Sequence, residues 1–235
     1  LLVITLIIFL KSYSSSVTPP QKRIINYLTF FVLFEALIGA VIVLYEWVGM
    51  NSSTPRIAAV PLHLVNTFGL LAMYAILFKV SKNPEIQISD CIDRNFKIAT
   101  GLFILAGATG SITALADVLF PSESFISGLI EDFDSTSALL TRLRITHPLA
   151  STLLSIFLFS ESNRFKKQYG IRTFEIKVLV ILGVGLGVLN VLSNINLLLS
   201  IIHLLTADLL WITYIYKTLE KSTKVLEIPN NSSID

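Results

Sequence analysis

The 235-residue chain is 53% hydrophobic and 14% charged, with a mean hydropathy of +0.73, where soluble domains carry about a quarter charged residues. That excludes a water-soluble globular domain and indicates a polytopic all-α membrane protein. A formal net charge of +2 gives no reason to expect a nucleic-acid partner, and a single cysteine, Cys91, excludes an internal disulfide.

The chain opens LLVITLIIFLK, whose ten-residue apolar run falls short of the roughly 20 residues a bilayer requires. It lacks the basic start and small-residue cleavage site of a signal peptide. It reads as the tail of a truncated helix, and the chain as a fragment lacking its N-terminus. Six membrane-length segments follow, at about 25–49, 57–80, 96–120, 143–160, 176–193 and 196–217. The loop 121–142 is acidic, with Glu123, Glu131, Asp132 and Asp134. Its FISGLIEDF stretch predicts a short interfacial helix, and the aspartates are expected to cap the helix that follows. Residues 218–235 are expected to be a cytoplasmic or matrix tail.

Lys and Arg set the orientation. Fifteen lie in the loop 11–24, around 79–97, in 164–177 or in the tail, whereas only Arg56, Arg142 and Arg144 lie on the other side. The basic side is cytoplasmic or matrix, and Cys91 falls there as an inert thiol. The segments at 57–80, 143–160 and 196–217 therefore run from outside to inside.

Those three segments carry the chain's three histidines, His63, His147 and His203, each near its starting end. At about 1.5 Å per residue, each imidazole sits roughly 5–12 Å inside the outer boundary. The helix pairs are repeats. LIGAVIVL before LHLVNTFGLLAMY matches GLGVLNVL before IHLLTADLLWITY, so Gly39 pairs with Gly187 and His63 with His203. The segment around His147 then corresponds to the opening stub, and the counterpart of His147 falls before Leu1. The intact protein is expected to have eight helices in two pseudo-symmetric four-helix halves. Residues 1–80 would belong to the first half and 96–217 would form the second.

Polar side chains in lipid are costly and mark functional sites. Two neutral imidazoles at one depth suit the axial positions of a haem iron, so His147 and His203 are the candidate ligands. A histidine bonded to a helix carbonyl is the alternative for each. A zinc site would want Cys, Asp or a third His beside them. Arg142 and Arg144, close to His147, are candidates for pairing with haem propionates, or are snorkelling interfacial residues. Glu35 and Asp208 are charges within spans and hence candidate functional residues, Glu35 as a proton relay or a buried hydrogen-bond partner, while Asp117 is a candidate anchor for the loop 121–142.

The stretch GATGSITALADVLFPSESFISGLIEDFDSTSALLTRLRITHPLA resembles the haem A synthase family in its Thr109-Gly110-Ser111, Ala114 to Ser122, Asp132-Phe133-Asp134 and Arg142 to Ala150 runs. LGVLNVLSNINLLLSIIHLLTADLLW is similar to the family's last helix pair, and the resemblance extends over about 25–217. It implies oxidation of the haem O methyl group to formyl, making haem A for terminal oxidases. It also implies haem b bound by His147 and His203, and His63 in the substrate-haem pocket. The pocket's second histidine and a catalytic Glu would lie before Leu1. Haem O synthase and oxidase assembly factors become candidate partners, and a bacterial plasma membrane or mitochondrial inner membrane the expected location. Two features depart from the family pattern. Glu35 stands where Gln is common, and the loop 121–142 lacks a cysteine pair. A bis-histidine cytochrome b-like carrier and a transporter without haem remain open on the residues alone.

Overall fold

Apolar runs of membrane length satisfy their backbone groups as helices, and a computed structural model contains little else. It describes residues 2–12 and 17–227. In chain order the helices are α1 (Leu2–Lys11), α2 (Pro19–Leu44), α3 (Thr54–Lys82), α4 (Ile88–Cys91), α5 (Arg94–Leu119), α6 (Phe125–Phe133), α7 (Leu139–Leu143), α8 (Thr146–Tyr169), α9 (Phe174–Leu192) and α10 (Leu197–Glu227). Six of these segments are long and apolar enough to cross a membrane, α7 and α8 together forming one. The molecule is a multi-pass helical membrane protein.

Local chemistry sets several boundaries. Prolines occupy the first turns of α2 and α3, where a missing N–H costs nothing. Gly170, at φ 65°, ends α8 in a left-handed cap. The second apolar segment stops at Leu44, short of the expected 49, where the chain turns through Glu46 at φ 54°. Arg56 braces that turn by donating to the carbonyls of Gly49 and Asn51.

α5 packs on α8, α8 on α9 and α9 on α10, while α3 packs on both α5 and α10. The seam is aromatic. Phe103 lies 4.7 Å from Trp211, centre to centre, and Trp211 donates its indole N–H to the carbonyl of Phe68 at 2.8 Å. Gly107 lets Phe68 in, since a Cβ there would stand 2.5 Å from its ring. Away from the seam, α9 leaves Ile181, Leu182, Val188 and Leu189 exposed, as suits a surface whose solvent is lipid.

On the basic side, a charged knot joins three helices. Asp93 caps α5 by accepting from the N–H of Phe96, and takes Lys221 at 2.8 Å and Arg164 at 3.4 Å. Burial works to raise the Asp93 pKa, but those donors outweigh it and hold the carboxyl below its ordinary value. Arg164 also pairs with buried Glu161, which accepts from Asn95. This knot explains why α10 runs to Glu227 rather than stopping near 217. Leu219, Lys221 and Ser222 are buried within it, so the expected tail begins as helix. Cys91 is buried beside it, and burial raises its thiol pKa.

On the opposite side, FISGLIEDF forms the expected helix α6, with Ile126, Ile130 and Phe133 exposed on one face. The expected aspartate cap on the next helix is absent: α8 has Ile145 at its N-cap without a side-chain bond. The acids instead surround Arg144, whose guanidinium meets Asp132 at 2.7 Å, Glu131 at 3.2 Å and Asp117 at 3.3 Å. Ser122 accepts from the same group at 3.1 Å.

Candidate functional site

His147 lies in the first turn of α8, one residue beyond Thr146. Its Nδ1 is 3.1 Å from the carbonyl of Ala106 on α5. One turn along α5 is Gly110, where a Cβ would stand 3.0 Å from the imidazole Cε1. His203, in the second turn of α10, repeats the arrangement on α9. Its Nδ1 is 3.0 Å from the carbonyl of Gly183, and a Cβ at Gly187 would stand 3.2 Å from its Cε1. Each imidazole thus reaches a carbonyl at position i and is cleared by a glycine at i+4.

A carbonyl only accepts, so Nδ1 of each ring must carry the hydrogen and Nε2 keeps its lone pair. The two ring centres are 6.1 Å apart, with the planes at 82°. Two imidazoles that held one metal at about 2 Å, with about 1.2 Å from each nitrogen to its ring centre, would have ring centres at most about 6.4 Å apart. The spacing of the two rings is thus compatible with both holding one haem iron. A porphyrin supplies four nitrogens of its own, so two protein ligands suffice. Among the described residues no three His, Cys, Asp or Glu side chains converge as a free ion would require.

His63 is held differently. It lies on α3 with Asn66 and Thr67, three and four residues on, and these share a helix face. All three turn towards Glu35 of α2. Asn66 and Thr67 donate to its two carboxyl oxygens, each at 2.6 Å, and Asn66 also reaches the carbonyl of Phe31. His63 Nδ1 is 3.4 Å from Glu35 Oε2 and makes no hydrogen bond among the described residues. A Cβ at Gly39, one turn beyond Glu35, would meet nothing within 4 Å.

The remaining sequence candidates are spread around the same side. Arg144 is 8% exposed and is engaged by its three carboxylates, while Arg142 is exposed. Asp117 anchors the loop through Arg144. Asp208, in α10, has a buried Oδ1 without a hydrogen-bond partner. Sequence reasoning missed the carbonyls of Ala106 and Gly183 because an acceptor on the backbone has no residue identity. The recurring interval from those carbonyls to Gly110 and Gly187 is the one trace they leave.

The sequence pattern of a family described as cytochrome oxidase assembly protein, COX15-CtaA, matches residues 1–215. Two curated proteins, from two strains of Thermus thermophilus, are named protoheme IX farnesyltransferase. Each is 28% identical over 210 residues, covering 85% of this chain and 34% of its own length. The chain thus spans about a third of the length of these relatives. No solved structure matches. With the family pattern running through all six membrane-length helices and through His63, His147 and His203, the chain belongs to the COX15-CtaA family of cytochrome oxidase assembly proteins.

Proposed function

We propose that the protein is a haem A synthase, oxidising the methyl group of haem O to formyl to make haem A for terminal oxidases. The observation that carries the haem part of this reading is the separation of His147 from His203, 6.1 Å between ring centres, with both Nδ1 atoms bonded to backbone carbonyls. In this reading the pair holds haem b, which supplies one-electron transfer when bound. The chain's contribution is to fix each ring's tautomer and rotation before the cofactor arrives, so that little order is lost on binding. Gly110 and Gly187 keep the rings free of steric pressure from α5 and α9.

His63 is assigned to the substrate side, as a ligand to the iron of haem O. Arg142, exposed five residues before His147, is assigned to the propionates. Arg144 would have to leave three carboxylates to join it, so its role is to hold the loop from which Arg142 projects. The name of the Thermus relatives supports a pathway context. A farnesyltransferase acting on protohaem IX makes a farnesylated haem of the haem O type, which is the substrate proposed here. A haem O synthase that hands on its product, and oxidase assembly factors that receive haem A, are the proposed partners. The proposed location is a bacterial plasma membrane or a mitochondrial inner membrane.

The test is expression of the full-length protein in a host that makes haem O but no haem A, followed by extraction and identification of the haems. Haem A in the extract is the expected result. Haem O and haem b alone, with the protein folded and carrying haem b, would contradict the synthase reading. They would favour an electron carrier, which the His147–His203 geometry would serve equally well.

A further inference from the structure

Resting on the assignment of His63 to the substrate haem, we propose that Glu35 is a positioning residue that sets the donor strength of His63. His147 and His203 both rest Nδ1 on a neutral carbonyl, at position i of the neighbouring helix with glycine at i+4. The first half has the same interval, Glu35 to Gly39, on the helix beside His63. There the side chain at position i takes over from the backbone. Among the described residues His63 Nδ1 is buried without a hydrogen bond, and Glu35 Oε2 stands 3.4 Å from it.

The carboxyl group is itself fixed. Asn66 and Thr67 donate to its two oxygens from the helix that carries His63, and Asn66 is tied back to the carbonyl of Phe31 beneath Glu35. The carboxylate of α2 is therefore held against the face of α3 that carries the imidazole. An Nδ1–H that closed the 3.4 Å gap to Oε2 would leave Nε2 as the free donor. A carboxylate behind an imidazole makes it a stronger ligand than a carbonyl does. A stronger donor favours the ferric over the ferrous state of an iron bound to it. The two halves would thus hold their haems at different potentials through one substitution of acceptor, with His63 as the more strongly donating ligand.

The experiment is a potentiometric titration of full-length protein saturated with haemin, beside Glu35→Gln, Glu35→Ala and His63→Ala. Glu35→Gln preserves the size of the side chain and removes its charge. It is expected to raise the potential of the component that His63→Ala removes and to leave the other component unmoved. Glu35→Ala is expected to weaken haemin binding at that site by about 10–100-fold. If both Glu35 variants keep wild-type potential and affinity while His63→Ala still removes a component, the inference is overturned and the haem reading stands. If His63→Ala removes no component, the reading beneath the inference fails instead.

Discussion

The His203 corner and the His63 corner come from the same sequence repeat, yet they are built on opposite principles. At His203 the helices come close: the imidazole touches a backbone carbonyl on α9, and Gly187 provides the clearance, with a hypothetical Cβ only 3.2 Å from the ring. At His63 a glutamate side chain spans the gap, Gly39 has open space before it, and 41% of the imidazole side chain is exposed. Close backbone packing fixes the ring, as the haem b ligand proposed above would require. A side-chain strut leaves an accessible imidazole that suits a ligand which must come and go. His147 falls with His203, since its carbonyl and its glycine lie on α5 at the same interval.

The largest effect that would sharpen this contrast is at the ligands themselves. His147→Ala and His203→Ala are each expected to abolish haem b retention through purification, whereas His63→Ala retains it and loses haem A formation. The measurement is the haem-to-protein ratio together with the haem extract. Loss of haem b in His63→Ala would mean that the two corners have been exchanged.

The glycines come next. Gly110→Val and Gly187→Val press branched side chains against the imidazoles, a crowding of a kind that costs about 1–3 kcal/mol in packed interiors. They are expected to reduce haem b occupancy at fixed haem supply. Gly39→Ala, facing open space, is expected to leave both haems as they are. Equal sensitivity at Gly39 and Gly187 would erase the distinction between the corners.

Further from the ligands, Arg144→Met strands three carboxylates around an apolar side chain. It is expected to lower the unfolding temperature by several degrees and to loosen the loop 120–138, read by protease cleavage. The smallest effect is at the basic side. Asp93 has its pKa held below the ordinary 3.8 in the folded protein, despite burial, by Lys221, the Phe96 N–H and Arg164. Its contribution to stability is therefore fully present above the unfolded value of about 4 and is lost as pH falls through the lower folded value. Asp93→Asn is expected to lower the unfolding temperature at pH 7, and the difference from wild type should shrink below about pH 4. A difference that stays constant down to about pH 3 would show that its charge is not what matters.

Much of the fold was legible because a bilayer leaves a chain few choices. Apolar length located the six membrane helices. The FISGLIEDF helix followed from its amphipathic pattern. The partners of the charges were not legible. Asp117, Glu131 and Asp132 are visible as acids, but a linear sequence does not say that they converge on Arg144 from two helices and a loop. The helical continuation of α10 past 217 was not legible because Lys221 and Lys224 read as tail residues, whereas Lys221 is buried against Asp93. Among the site residues, the histidines stood out by rarity and repeat. Their second partners did not, since two are backbone carbonyls and the third, Glu35, lies 28 residues from His63 in sequence, on another helix.

The most direct test of the central claim is the electron paramagnetic resonance spectrum of ferric full-length protein in mild detergent, recorded beside His147→Ala, His203→Ala and His63→Ala. The account predicts a low-spin bis-imidazole haem signal that disappears in the first two variants and persists in the third. A bis-imidazole signal that survives both His147→Ala and His203→Ala would contradict it.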